Sequence, residues 1–156
     1  MSIKSVQNTH TSTQIRQLHA SLLDILSVMN KPQVDENLIK EAGIPLDRAL
    51  FPLLVCIERF GPIGIVELAD RVGRDHTTVS RQVVKLESLE LVERQAGADR
   101  RMRKAVAAPK GKLMTDALDA ARDRLGRDIF KTWEVDEMDN LVRLMRKFAD
   151  TLKEVT

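Results

Sequence analysis

The segment from Arg74 to Lys85 carries the side chains best suited to contacts with nucleic acid. It reads Arg-Asp-His-Thr-Thr-Val-Ser-Arg-Gln-Val-Val-Lys, so cations and hydroxyls recur among apolar residues. Hydroxyls, an imidazole and a guanidinium can hydrogen-bond base edges in a major groove, and an ammonium group suits a phosphate. The candidate DNA-binding residues of this segment are Arg74, Asp75, His76, Thr77, Thr78, Ser80, Arg81 and Lys85.

A second group of charged residues lies at positions 99–103. An arginine at a loop tip can enter a minor groove, where the electrostatic potential is negative. Asp99 is expected to pair with Arg101 and to fix the direction of that side chain. The candidates here are Asp99, Arg100, Arg101 and Arg103. The alternative is a solvated loop whose arginines have no partner.

The charge of the chain is concentrated around these two groups. Residues 71–112 contain eleven Lys and Arg but five Asp and Glu, a net charge of +6. The whole chain carries +2, which leaves −4 for the rest. A basic segment between neutral or acidic flanks is typical of a nucleic-acid-binding protein. A solvated charged face is the alternative.

Two short helices and a hairpin are predicted to position these residues. The apolar spacing predicts helices over 65–72 and 76–89, with Gly73 in the turn and Asp75 as the cap of the second helix. Strand-like runs over 91–95 and 104–107 flank the arginine-rich tip, which indicates a β-hairpin. Helix, turn, helix and hairpin in this order predict a winged helix-turn-helix.

Longer amphipathic helices surround this block. Apolar residues recur at three- and four-residue steps over 14–29, from about 45 or 46 to 59, over 109–133 and over 137–154. A short turn of helix is expected around 36–41. The predicted fold is mainly α with a small β-hairpin wing. Its expected regions are an N-terminal helical region over 1–45, the winged helix-turn-helix over 46–108 and the C-terminal helices over 109–156.

The order of short motifs resembles the MarR family of regulators. The matching pieces are Glu67-Leu-Ala, Thr78-Val-Ser-Arg, Leu86-Glu, Leu91-Val-Glu-Arg, Asp99-Arg-Arg and Gly111. The resemblance implies a dimer held by its terminal helices, a recognition helix at 76–89 and a wing whose Arg101 contacts DNA. The chain has Ala107-Ala108 where many members have Leu-Thr, so Pro109 is expected to begin the following helix instead.

The terminal helices are predicted to form a two-fold interface, with closure of an intramolecular core as the alternative. The interface candidates are Ile15, Leu18, Leu22, Ile129, Trp133, Leu141, Met145, Phe148 and Leu152. Family members often bind a small effector between these helices and the DNA-binding module. The corresponding pocket candidates are His19, Leu53, Cys56 and Met114.

Other classes of function lack a signature in this sequence. No nucleophile elbow, zinc-protease motif or phosphate-binding glycine loop occurs, so no enzyme, cofactor or metal site is predicted. The single cysteine, Cys56, lies in an apolar run and is expected to be a buried thiol. The lack of a secretory or membrane-spanning segment predicts a cytoplasmic protein.

The sequence therefore predicts a homodimeric regulator, more often a repressor in this family, that binds a palindromic double-stranded DNA site. A small-molecule effector would release it. The alternative from another class is a winged-helix protein-interaction module. An RNA-binding winged helix is less favoured because exposed aromatic residues for base stacking are lacking.

Overall fold

The computed structural model describes the backbone of residues 3–95 and 103–156, with side chains described from Asn8 onward. Within these residues the chain forms seven helices and one two-stranded antiparallel sheet. The elements are α1 (Ile3–Met29), α2 (Pro32–Ala42), α3 (Phe51–Phe60), α4 (Ile65–Val72), α5 (His76–Ser88), β1 (Val92–Arg94), β2 (Ala105–Ala107), α6 (Pro109–Ile129) and α7 (Val135–Val155). The prediction of a mainly helical protein with a small hairpin is confirmed.

The chain divides into two compact units, and the boundary falls inside α6. The first unit ends at Leu118 and contains α1 to α5, both strands and the first half of α6. The second unit, from Asp119 to Thr156, contains the rest of α6 and all of α7. No described helix combines the length and the apolar character that crossing a membrane would require.

The core of the first unit lies where α3, α4, α5 and the sheet meet. Each of these elements contributes one apolar face, as their three- and four-residue or alternating spacing requires. A fully buried side chain of this size contributes about 1.5–3 kcal/mol to stability. The buried residues include Leu53, Leu54, Ile57, Ile63, Leu68, Val79, Val83, Leu86 and Leu91.

The sheet is short and is anchored to this core at both ends. Val92 pairs with Ala107, and Arg94 pairs with Ala105. Ile63, just before α4, adds a further rung, since it exchanges two backbone hydrogen bonds of 2.8 and 3.1 Å with Ala105. The hairpin therefore leaves the core at a defined position beside the helix-turn-helix.

Gly111 allows α6 to begin against the hairpin. A Cβ atom at this position would lie 2.0 Å from the carbonyl oxygen of Leu91. The backbone N–H of Ala108 also donates to that oxygen, at 3.0 Å. Because the contact is with backbone, any side chain at Gly111 would force the helix away from the sheet. Pro109 is the first helical residue, as predicted.

Helix bounds differ from the predictions mainly before α5. The helix predicted from about 45 or 46 begins at Phe51, because Asp47 forms a capped turn instead. Its carboxylate accepts the N–H of Ala49 at 2.8 Å, and its carbonyl oxygen accepts those of Leu50 and Phe51. Helix α1 extends eleven residues before the predicted start, through a polar stretch without apolar periodicity.

The second unit has a well-defined turn between its helices. Glu134 caps α7 in a reciprocal capping box with Glu137, which satisfies free backbone donors at the helix start. The Phe130 and Trp133 rings pack edge to face, with 5.0 Å between centroids. All residues of α7, each of which the structure describes, retain solvent exposure within this chain.

Candidate nucleic-acid interface

Asp75 fixes the start of α5. Its carboxylate accepts the backbone N–H of Thr78 at 2.9 Å, and the Thr78 hydroxyl donates to the other carboxylate oxygen. These two hydrogen bonds hold the pKa of Asp75 below its ordinary value, with a smaller contribution from the positive charge of Arg81. The preceding Gly73 adopts a left-handed φ of 67° and ends α4. The predicted cap and turn are therefore present, and the Thr78 hydroxyl is committed to the cap.

The face of α5 opposite the core is exposed and carries two cations. Val79, Val83 and Leu86 point into the core, so helical periodicity places residues 77, 81, 84 and 88 on the opposite side. Of the predicted contact residues within α5, those that are exposed are His76, Thr77, Arg81 and Lys85, while Thr78 and Ser80 are half-buried. This outward face presents hydroxyl, guanidinium and ammonium groups along one helix.

Arg74 differs from the other predicted contact residues because its guanidinium is used within the protein. One terminal nitrogen donates to the carbonyl oxygen of Ala49 at 2.6 Å and to the side-chain oxygen of Gln82 at 3.0 Å. His76, next along the chain, has its Nε2 atom 3.7 Å from a carboxylate oxygen of Asp70 on α4.

The predicted wing lies only partly within the described residues. Asp99, Arg100 and Arg101 are outside them. Arg103, the remaining candidate, is half-buried, and its Nε atom has no hydrogen-bond partner among the described residues. The base of the hairpin is tied to α5, because Arg94 pairs with Glu87 at 3.0 Å. This ion pair fixes the hairpin relative to the exposed face of the helix.

A cavity of about 430 Å³ runs beside α5 in the first unit. One wall is the connection before α3, and the other is the flank of α5. Arg81 and Lys85 line it together with apolar groups. The remaining lining residues are Pro45, Asp47, Ala49, Leu50, Thr78, Gln82 and Leu89.

The predicted effector-pocket residues occupy different environments in the first unit. Leu53 is fully buried in the core, Cys56 and Met114 are half-buried, and His19 is exposed. Burial raises the pKa of the Cys56 thiol, and the positive charges of Arg71 and Arg59 offset this only in part. Within the described part of the chain, no group of three or more His, Cys, Asp or Glu side chains is arranged to hold a metal ion.

The predicted interface residues are exposed or half-buried in both units. In the first unit, Ile15 and Leu18 are exposed and Leu22 is half-buried. The exposed candidates of the second unit are Ile129, Trp133, Met145 and Leu152, and the half-buried ones are Leu141 and Phe148. Further large apolar residues are exposed beside them on the same helices: Leu23, Leu26, Val28, Met29, Val135, Val142 and Leu144.

Two residues of the α5 region were absent from the predictions. Val84 is 56% exposed on the outward face, between Arg81 and Lys85. The helical spacing from the buried Val79, Val83 and Leu86 would have placed Val84 on the outward face. The sequence analysis considered only polar and charged side chains as contact candidates, so it did not include Val84. Gln82 was missed because its role is to accept a hydrogen bond from Arg74, and no pattern in the sequence indicates that the two side chains meet.

Comparison with known proteins agrees with this architecture. Residues 46–102 match the MarR family model. The HTH-type transcriptional regulator YxaD of Bacillus subtilis (strain 168) is 29% identical over 103 residues, covering 65% of this chain and 72% of that protein.

Solved structures share the fold at low sequence identity. A MarR family protein from Bacillus stearothermophilus superposes with a TM-score of 0.68 at 17% identity, covering 93% of this chain and 97% of its own. A MarR transcriptional regulator from Methanosarcina mazei Go1 superposes with a TM-score of 0.68 at 19% sequence identity. The match covers 90% of this chain and 99% of that protein. Staphylococcus aureus MarR, in complex with salicylate and kanamycin, superposes with a TM-score of 0.66 at 15% sequence identity. The match covers 92% of this chain and 97% of that protein. The predicted resemblance is confirmed.

Proposed function

We propose that this chain, whose residues 46–102 match the MarR family model, is a transcriptional regulator that binds double-stranded DNA as a homodimer. The observation that carries this proposal is the outward face of α5. It is capped by Asp75, held on the core by Val79, Val83 and Leu86, and presents Arg81 and Lys85 to solvent. The most direct regulatory outcome of such binding is repression, since a bound dimer blocks other proteins from the same DNA.

The chemistry of α5 suits the major groove. The groove is about 12 Å wide, which admits one helix, and arginine can donate two hydrogen bonds to a guanine edge. We assign the contact with a guanine edge to Arg81 and a contact with a phosphate to Lys85. His76, Thr77 and Ser80 supply further donors and acceptors near the start of the helix. The wing arginines Arg100, Arg101 and Arg103 are assigned to the adjacent minor groove.

A second copy of the chain is needed for a specific DNA site. One recognition helix reads few base pairs, whereas a two-fold dimer presents two such helices about 34 Å apart, one turn of DNA. The exposed apolar residues of α1 and of α7 support this assembly, because each helix carries several large apolar side chains that a partner would cover. The proposed regions are therefore 1–45 and 109–156 for dimerisation and 46–108 for DNA binding, with a palindromic operator.

A small effector is proposed to control binding. The solved Staphylococcus aureus MarR is in complex with salicylate and kanamycin, so a protein of this fold accepts small molecules. In this chain the proposed pocket is formed by His19, Leu53, Cys56 and Met114. A ligand that binds the DNA-free form more tightly than the DNA-bound form would shift the population toward release.

Selection from random duplexes tests the proposal. The expected result is enrichment of a palindrome with half-sites about one helical turn apart, and affinity that falls steeply with salt. Sedimentation should give twice the 17.6 kDa mass of one chain. Absence of an enriched sequence, together with weak binding of any duplex, would favour a protein-interaction module instead.

A further inference from the structure

We infer that Arg74 is a positioning residue that fixes the recognition helix in place, and that it does not itself contact DNA. Its link to base reading rests on the proposed function, but its structural role does not. Arg74 lies immediately before the cap of α5, in the basic segment, where a guanidinium would ordinarily be assigned to a phosphate.

The hydrogen bonds of Arg74 connect it to three different segments of the first unit. Its guanidinium reaches Ala49, in the connection before α3, and Gln82, in the second turn of α5. Its backbone N–H donates to the carbonyl oxygen of Ala69 at the end of α4, at 3.1 Å. The donor is charged in both side-chain bonds, and such bonds are about twice as strong as neutral ones.

This arrangement restrains rotation of α5 about its own axis. The turn from α4 to α5 contains only Gly73, Arg74 and Asp75, so it fixes where the helix begins. A second attachment at Gln82, further along the same helix, adds to the buried contacts of Val79, Val83 and Leu86 in fixing which face points outward. With both attachments, Arg81 and Val84 stay opposite the core. Binding groups that are held in place before the ligand arrives give affinity and specificity that mobile groups do not.

Variants of Arg74 separate positioning from charge. Arg74→Lys keeps the charge but replaces the rigid, planar guanidinium, whose Nη1 atom makes both hydrogen bonds, by a freely rotating ammonium group on a different stem. Gln82→Met removes the acceptor with little change in size. Lys85→Ala is the comparison variant for loss of a phosphate contact. Each variant is measured by hydrogen exchange in the DNA-free protein and by salt titration on the duplex selected by the wild type.

If Arg74 positions the helix, Arg74→Lys and Gln82→Met should each raise exchange of the α5 amides by about tenfold, equivalent to roughly 1.4 kcal/mol of local opening. Both should weaken binding of the selected duplex several-fold while leaving the slope of log K against log salt unchanged. The effects of the two substitutions should not add fully in the double variant, because Arg74→Lys already breaks the bond to Gln82 as well as the bond to Ala49. Lys85→Ala should instead make the slope shallower by about one unit.

The opposite pattern would overturn the inference. Full activity of Arg74→Lys, unchanged α5 exchange, and a slope that is shallower by about one unit in Arg74→Ala would identify a phosphate contact. Failure of the wild type to bind any duplex would refute the proposed function, yet hydrogen exchange would still decide whether Arg74 restrains α5.

Discussion

Glu90 occupies the turn between α5 and β1, and its φ of 63° lies in the left-handed region. The turn closes with two hydrogen bonds, from the Glu90 N–H to the carbonyl oxygen of Glu87 at 2.9 Å and from the Leu91 N–H to that of Leu86 at 3.0 Å. This pattern is a Schellman motif, whose left-handed position is usually glycine because a Cβ atom is strained there. Glu90 therefore holds a conformation that its side chain disfavours.

The substitution Glu90→Gly should stabilise the protein. A residue with a Cβ atom pays about 1–2 kcal/mol in the left-handed conformation. Glycine avoids this but loses about 0.5–1 kcal/mol more conformational entropy on folding. The expected net gain is about 0.5–1 kcal/mol, which for a chain of this size raises Tm by roughly 1–4 °C. Urea unfolding followed by circular dichroism, at one fixed protein concentration, measures the free energy of unfolding.

Glu90→Ala is the matched control, because it removes the carboxylate but keeps the Cβ atom. We expect it to leave stability nearly unchanged. Equal stabilisation by Ala and Gly would show that removal of the negative charge, not relief of strain, is responsible. No gain with Gly would refute the argument from the left-handed φ.

The remaining predictions test packing, capping, reactivity and base reading. Gly111→Ala places a methyl carbon 2.0 Å from the carbonyl oxygen that it faces and should cost about 2 kcal/mol in urea unfolding, whereas Gly126→Ala, in a helix with open space around it, should stabilise. The pKa of Asp75 is lower in the folded protein than its ordinary value of 3.8. The ionised carboxylate therefore stabilises the protein above pH 3.8, and this stabilisation is lost as the pH falls through the lower folded-state pKa. The difference in free energy of unfolding between the wild type and Asp75→Asn, measured against pH, should vanish below that folded-state pKa. Burial raises the pKa of Cys56 above 9.0, so maleimide should label the native protein at pH 7 much more slowly than the unfolded protein, and equal rates would contradict this. Val84 is exposed on the outward face of α5, and in the proposed complex it would contact a thymine methyl group; replacing thymine by uracil in the selected site should then weaken binding by the wild type about fourfold but binding by Val84→Ala hardly at all.

The helix-turn-helix could be predicted from sequence because its signals are local. Gly73 and Asp75 mark the end of one helix and the start of the next, and the structure places both helices within one residue of the predicted bounds. The apolar spacing at Val79, Val83 and Leu86 also identified the buried face correctly. Local propensity, turn chemistry and tertiary packing agree here, so each supports the same result.

Sequence reasoning gave a wrong bound, or no answer, where long-range contacts or competing local bonds decide the structure. Asp47 accepts hydrogen bonds from the backbone N–H groups of the residues that follow it. As a result α3 begins at Phe51, later than the apolar pattern predicted. The two acceptors of Arg74 lie eight and 25 residues away, and composition cannot distinguish such a guanidinium from one that faces DNA. Glu90 could not be identified as a strained position because a left-handed φ at glutamate has no sequence signal.

The assignment of α5 as the DNA-reading element is tested most directly by binding of three proteins to two duplexes. The proteins are the wild type, Arg81→Ala and Arg127→Ala, an equal charge change on an exposed ion pair of the second unit. The duplexes are the selected site and a scrambled version of it. We expect Arg81→Ala to lose about tenfold or more in affinity for the selected site but little for the scrambled one, because it removes a base contact. Arg127→Ala should leave both affinities unchanged. Equal losses by the two variants, or equal binding of both duplexes by the wild type, would contradict sequence reading by α5.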